Sequence, residues 1–200
     1  TDLAIRHALE TDTYDMYCGQ NSSLVAVDID ETTKAFIELI NSKELRTKMG
    51  KSGKKRAKEV YDWSVIIPQY EKLWDELHLI RTAHDKSKEI KLTHPYPSRA
   101  EPFTAFASYP TYILNNNTTV ELTMQYNEAV EKIELYKNMT INNYVKVTMP
   151  LDNEIATILL SLKDGSITAI ETVKDIEVSR QAYALRSLAW FMKVGVIRKV

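Results

Sequence analysis

The sequence predicts a mainly α-helical chain that carries a small α+β unit at its C-terminal end. Apolar residues recur at helical spacing between residues 28 and 77, and each run begins behind a residue that suits a helix N-cap. Short β-rich runs and the turn Asp164-Gly165-Ser166 lie in the last part of the chain. We find no strand–helix alternation that could build a parallel sheet.

The helical runs within residues 28–77 are predicted to form three amphipathic helices. Asp28, Ser42 and Asp62 each precede one run, and their side chains can accept the first free N–H groups of a helix. The run behind Asp62 follows the i, i+3, i+4, i+7 pattern almost throughout. Pro68 lies inside that run and predicts a kink or a short break just before it, near residues 65–67.

The order of residues in these helices adds a resemblance. The segments LRTKMGKSGKKRA, DW and YEKLW follow one another at fixed spacing. In this they resemble the C-terminal end of the group 1 (family 4) glycosyltransferases. The matching residues are Asp28, Leu45, Arg46, Met49, Gly50, Gly53, Arg56, Ala57, Asp62, Trp63, Tyr70, Leu73 and Trp74. The segment LAIRHALETDTYDMYCGQ also looks like the loop and helix before this tail, and a weaker match around His94 and YPT extends to Thr111.

The resemblance implies the last part of a longer enzyme. Such enzymes have two Rossmann-like domains (the GT-B architecture), bind a nucleotide-sugar donor on the C-terminal one, and are retaining and metal-independent. Their E-x7-E motif and glycine-rich phosphate loop are not found here, and the five glycines form no GxGxxG or GxxxxGK pattern. The chain is therefore expected to lack the catalytic site and to contain no catalytic residue, metal ligand or cofactor. Its donor-binding residues stay unassigned, and any approach to the donor is expected within Leu3–Gln20.

The C-terminal part of the sequence predicts a strand, three helices and a strand. The strands are expected at Asn143–Met149 and in the final VIRKV, and the helices after Pro150, at Ile167–Val173 and from Ser179 to Gly195. The run LSLKDGSITAIETV…LAWFMKVGVIRKV resembles many winged-helix domains. A resemblance of this kind bears on the fold and says little about function.

In a winged helix, the helix that starts at Ser179 would read DNA. Its outward polar residues include Arg180, Gln181 and Arg186, with Lys193 at its end, and the predicted wing adds Arg198 and Lys199. Recognition helices present several donors near their N-terminus beside basic phosphate contacts. The pattern therefore favours a packing or protein-contact module over a nucleic-acid-binding one.

The second predicted helix is markedly basic. Between Lys43 and Val60 the sequence has eight Lys and Arg residues against two Glu residues. Contact with an anionic membrane surface is one interpretation. A solvated helix face is favoured, because the cations are taken to spread around the helix rather than to form one stripe. Gly50 and Gly53 are predicted to let another backbone approach closely.

Three domains and three functions follow as hypotheses. The divisions are a helical glycosyltransferase region at 1–85, a proline-rich linker at 86–114 and a winged-helix-like domain at 115–200. The favoured function is a brace and interaction module of a glycosyltransferase; the alternatives are a winged-helix regulator and a purely structural interaction domain. The expected partner is the missing N-terminal part of the enzyme. If that part is absent, self-association would cover the stripe that ends at Trp74 and Leu77.

Composition bears on the kinds of ligand and the cell compartment expected for this chain. The formal net charge of −1 gives no whole-chain attraction to nucleic acid or anionic lipid. Cys18 is the single cysteine, which fits a reducing compartment, and we expect the cytoplasm. His7, Asp12 and Asp15 are interpreted as caps and solvated polar groups, because a metal site needs more converging ligands. The first residue is Thr1 rather than Met, so the chain is expected to be cut from a longer protein.

Overall fold

The computed structural model describes residues 2–84 and 101–200. These residues are mainly helical and include a three-stranded antiparallel sheet, so the predicted mainly α class is confirmed. The helices are α1 (Asp2–Ala8), α2 (Tyr14–Ser23), α3 (Ile29–Asn41), α4 (Lys43–Val60), α5 (Trp63–Ala83), α6 (Pro102–Ala105), α7 (Tyr126–Lys137), α8 (Asp152–Ser161) and α9 (Val178–Lys193). The strands are β1 (Thr119–Leu122), β2 (Ile167–Thr168) and β3 (Ile197–Lys199), and short 3₁₀ helices lie at Thr140–Tyr144 and Glu171–Val173.

The described residues form two compact units. One unit, here the helical unit, contains residues 28–84, and the other, here the sheet unit, contains residues 2–27 together with 101–200. This division does not coincide with the expected domain at 1–85, because α2 packs against α9 and against the 3₁₀ helix Thr140–Tyr144. Of the expected linker at 86–114, residues 86–100 lie outside the described residues, and residues 101–114 belong to the sheet unit.

The helical unit begins each helix where the cap residues predict. The Asp28 carboxylate accepts from the Glu31 N–H at 2.9 Å, and the Ser42 hydroxyl accepts from the Leu45 N–H at 3.0 Å. The Asp62 carboxylate caps α5 in the same way. Helix α5 then continues through Pro68, so the expected short break does not occur. Proline removes one hydrogen bond of the ladder, and the remaining bonds hold the helix together.

The core of the sheet unit lies between the sheet and helices α7, α8 and α9. The strand order is β2-β1-β3, and Val120 in the central strand pairs with Ile167 on one side and Lys199 on the other. Among the described residues, the largest fully buried side chain is that of Phe191 in α9. Burial of the apolar side chains in this core is the main source of stability for the sheet unit.

Two predicted elements of this unit are wrong. The segment 143–149 is not a strand, because its chain closes on α2, where the buried Thr148 and Ser23 hydroxyls lie 2.9 Å apart. The central strand comes instead from Thr119–Leu122. The expected helix at 167–173 is divided into β2 and a 3₁₀ turn, since pairing with β1 holds its first two residues extended.

The ends of α9 agree closely with the sequence. The helix begins at Val178, one residue before the expected Ser179 cap, and the Ser179 hydroxyl donates to the Glu177 carboxylate at 2.5 Å. Gly195 follows the helix with φ +67°, the left-handed conformation that glycine adopts without strain. The expected strand VIRKV is present as β3.

Candidate functional site

The described residues contain no group of three or more His, Cys, Asp or Glu side chains that could hold a metal ion. The surface of the described residues includes two shallow hollows. One is an open depression of about 340 Å³ on the 3₁₀ helix Thr140–Tyr144, and the other is a cleft of about 120 Å³ beside Glu154 and Arg180. In the cleft, the Thr157 hydroxyl donates to the Asn153 carbonyl oxygen at 2.8 Å and Glu154 is paired with Arg180, so neither group is arranged as the activated nucleophile and base of covalent catalysis.

An ion pair organises the N-terminal region where an approach to a sugar donor is expected. Arg6 donates to both carboxylate oxygens of Asp12, each at 2.7 Å, and Asp12 is 3% exposed. Hydrogen bonding by Arg6 lowers the pKa of Asp12, although burial alone would raise it. Asp12 is therefore a buried structural carboxylate, and its interpretation as a solvated group is wrong.

Two further polar side chains lie close to this ion pair. The His7 ring stacks on the Tyr17 ring with centroids 4.7 Å apart, and its Nδ1 lies 3.3 Å from the Asp12 carbonyl oxygen. Gln20 is fully buried and contributes to the lowered pKa of Asp12, yet neither of its amide atoms meets hydrogen-bond geometry. Sequence reasoning missed Gln20, because a single glutamine in a short polar helix carries no signal of burial. The region Leu3–Gln20 uses its Arg6–Asp12 charges internally, and an approach of this region to a sugar donor stays a prediction.

The first cation of the predicted recognition helix is held inside the unit. Arg180 donates to the two carboxylate oxygens of Glu154 at 2.7 and 3.0 Å, and the Glu154 side chain is 3% exposed. Hydrogen bonding by Arg180 lowers the pKa of Glu154 and outweighs the effect of burial. Glu154 also accepts from the Leu151 N–H at 2.8 Å, which ties α9 to the start of α8.

The other polar residues of α9 are also engaged within the chain. Arg186 donates to the Asp2 carboxylate of α1 at 2.9 Å, and Lys193 donates to the Ser22 carbonyl oxygen of α2 at 2.9 Å. Gln181 donates to a backbone carbonyl oxygen next to its own helix. Helices α1 and α2 therefore bind residues that a DNA-reading helix would direct at DNA.

The two cations near the C-terminus have contacts of their own. Arg198 pairs with Glu121 across β3 and β1 at 2.7 Å. The Lys199 ammonium lies 4.1 Å from the centre of the Tyr112 ring, a cation–π contact. The six residues named for a nucleic-acid contact thus all have partners inside the sheet unit.

In helix α4 the arginines contact other groups of the helical unit, and the lysines share one side of the helix. Arg46 donates to the carbonyl oxygens of Leu39 and Ile40 at the end of α3, at 2.5 and 2.7 Å. Arg56 lies over the Tyr61 ring at 5.8 Å. With about 100° between successive residues, the other cations fall within one arc of about 140°. They are Lys43, Lys48, Lys51, Lys54, Lys55 and Lys58. The expectation that the cations spread around the helix is therefore wrong for the lysines.

The helical unit also exposes apolar surface. None of α3, α4 and α5 has a buried residue. Trp74 is 62% exposed, and Phe36 and Tyr70 are also exposed. Aromatic side chains in such numbers are typical of surfaces that meet another macromolecule. By contrast, Gly50 and Gly53 have no described atom within 4 Å of an added Cβ, so the close backbone approach expected there is not found.

No helix of residues 2–84 and 101–200 is both long enough and apolar enough to cross a bilayer. Comparison of the chain with protein families, curated proteins and solved structures finds no match.

Proposed function

We propose that this chain is the C-terminal part of a nucleotide-sugar-dependent glycosyltransferase. In this proposal the helical unit braces a sugar-nucleotide-binding domain, and the sheet unit is an interaction module. The chain itself contributes no catalytic residue, and neither a metal nor a cofactor is assigned to it. The observation that carries the proposal is the ordered match of LRTKMGKSGKKRA, DW and YEKLW to the C-terminal end of that family.

The exposed apolar surface of the helical unit supports a brace. The matching residues Tyr70, Leu73 and Trp74 lie on α5, and all three are exposed. Full burial of an aromatic or leucine side chain stabilises a protein by about 1.5–3 kcal/mol. An isolated group of helices that leaves these side chains exposed does not gain that stabilisation. A covering domain explains why such residues follow helical spacing on α5 and yet are not buried within residues 28–84.

The contacts of α9 bear on the alternative function. In the sheet unit, α8 and α9 pack against an antiparallel sheet of β1, β2 and β3, and that this unit is a winged-helix-like module stays a proposal. DNA reading by α9 is disfavoured, because Arg180 and Arg186 are ion-paired and Lys193 is bonded to α2. A role in contacts between proteins, or between parts of one protein, is consistent with that arrangement.

The test is a thermal-shift titration of the protein that includes the residues encoded upstream of this chain. We expect UDP- or GDP-sugars to raise its melting temperature, because ligand binding to the native state stabilises it. The 200-residue chain alone is the matched control, and we expect no donor-dependent shift for it. Absence of a shift in the longer protein with all nucleotide sugars would refute the proposal.

A second measurement tests the brace itself. Trp74→Ala in the longer protein removes a side chain that is exposed in the helical unit alone. If that side chain is buried in the longer protein, we expect the free energy of unfolding to fall by about 3–5 kcal/mol. In the 200-residue chain the same change should alter stability by less than about 0.5 kcal/mol, since Trp74 is 62% exposed. Equal effects in the two proteins would contradict the brace.

A further inference from the structure

Helix α4 carries a concentration of positive charge that internal contacts leave largely unused, here called the lysine face. We define the lysine face as Lys43, Lys48, Lys51, Lys54, Lys55 and Lys58. All six are exposed. Of these six, Lys55 has a described ion pair, with Glu59 at 3.8 Å. A pair so long and so exposed contributes little, so the ammonium groups are available to a partner.

The arrangement of the face differs from an ordinary solvated helix surface. An exposed helix that is stable in water commonly alternates charges of opposite sign along one side. Here Glu44 lies within the arc of the lysines and Glu59 lies at its edge, so the face keeps an excess of positive charge. Lys43 and Lys58 are 15 residues apart, and the face therefore extends over about 22 Å along the helix axis.

The type of cation indicates the kind of partner. Arginine forms planar, two-pronged contacts with single phosphates and stacks on bases, whereas lysine is a flexible point charge. Both arginines of α4 are used inside the helical unit, Arg46 at the end of α3 and Arg56 on Tyr61. A broad band of lysines without arginine suits an extended negative potential rather than a specific phosphate, and the anionic surface of a bilayer provides such a potential.

The tyrosine that follows α4 also suits contact with a membrane surface. Tyr61 follows α4 directly and is 60% exposed. Tyrosine is enriched at the level of lipid headgroups, because its ring is apolar and its hydroxyl is polar. We propose that the lysine face of α4 binds the surface of a membrane that contains anionic phospholipid. The proposal does not depend on the proposed function, because it uses the lysines and Tyr61 alone.

The experiment is co-sedimentation of the chain with vesicles. One set contains phosphatidylcholine and phosphatidylserine, and the other contains phosphatidylcholine alone. We expect binding to the anionic vesicles, no measurable binding to the neutral ones, and a steep loss of binding as salt is raised. Each lysine near an anionic surface contributes about a fivefold increase in partitioning. The triple change Lys51→Gln, Lys54→Gln and Lys58→Gln should therefore weaken binding about a hundredfold.

Two matched variants separate charge position from total charge. Changing Lys72, Lys146 and Lys174 to Gln removes the same charge from exposed sites outside α4, and binding should fall by less than about fivefold. Changing the three α4 lysines to Arg keeps the charge and should retain binding. Circular dichroism should show the same helix content in all variants, since the altered side chains are exposed.

Three results would overturn the proposal. Equal binding to neutral and anionic vesicles would exclude an electrostatic contact. Unchanged binding of the α4 glutamine variant would place the contact elsewhere. Binding to duplex DNA or RNA in a gel shift, without binding to anionic vesicles, would assign the lysine face to nucleic acid instead.

Discussion

Substitution of Gly19 tests the packing of α2 against the rest of the sheet unit. A Cβ added at Gly19 would lie 2.7 Å from the Tyr144 Cβ and 3.3 Å from the Tyr144 carbonyl oxygen. Carbon atoms in contact prefer separations of about 3.5–4.0 Å, so the helix or the 3₁₀ segment must move by about 1 Å. Such overpacking costs about 1–3 kcal/mol, whereas alanine gains about 1 kcal/mol over glycine from helix propensity. Since the two effects oppose each other, we expect Gly19→Ala to destabilise the sheet unit by up to about 2 kcal/mol.

The same substitution in α4 is the matched control. An added Cβ at Gly53 meets no described atom within 4 Å, so Gly53→Ala should stabilise the helical unit by about 1 kcal/mol. Amide hydrogen exchange measured by mass spectrometry is the suitable assay, because it reports on each unit separately. Peptides from residues 14–23 should exchange faster in Gly19→Ala, and peptides from residues 43–60 should exchange more slowly in Gly53→Ala.

A double-mutant cycle tests the inferred contact between Gly19 and Tyr144 directly. Tyr144→Gly removes the opposing Cβ and should relieve most of the cost of Gly19→Ala, whereas Tyr144→Ala keeps that atom and should not. If Gly19→Ala stabilises the chain as much as Gly53→Ala, or if the two Tyr144 variants behave alike, the inferred contact is incorrect.

Three further changes test the sheet unit by urea denaturation. Arg180→Met leaves the buried Glu154 carboxylate unpaired and should cost about 3 kcal/mol at pH 7. Arg180 lowers the pKa of Glu154 below its ordinary 4.5. The stability that the ion pair contributes is therefore complete above pH 4.5 and is lost as pH falls through the lowered pKa. The difference in stability between Arg180→Met and wild type should shrink in acid. Asp12→Asn should cost about 2 kcal/mol, since Arg6 is partly exposed, with the same direction of pH dependence because the pKa of Asp12 is lowered. Phe191→Ala should cost about 3–5 kcal/mol, because its side chain is fully buried. Losses below about 0.5 kcal/mol, or a difference that grows in acid for the first two variants, would contradict these assignments.

Local signals in the sequence located the starts of α3, α4 and α5 and the end of α9. The caps at Asp28, Ser42 and Asp62 depend on hydrogen bonds to residues two or three positions away, so the sequence contains all the information that they need. The positive φ of Gly195 is local in the same sense. The expected strand at 143–149 failed because alternation of side chains also suits a segment that packs on a helix.

The candidate surfaces also combine features that the sequence shows with features that only the packed helices decide. The lysines of α4 are visible in the sequence, and their common arc follows from the helical repeat alone. That Arg46 and Arg56 do not share this surface depends on where α3 ends and on the position of Tyr61. The exposed state of Trp74 is likewise a property of the packed helices, since its spacing alone predicted burial.

Contacts between residues far apart in the chain were decided by tertiary structure. Asp2 pairs with Arg186, and the Ser23 and Thr148 hydroxyls lie 2.9 Å apart, so α1 and α2 pack on the rest of the sheet unit and cover the polar side of α9. Helical periodicity and capping act within a few residues and can be read along the chain. Pairing across more than a hundred residues depends on which surfaces the folded chain brings together, and no short pattern of residues encodes that choice.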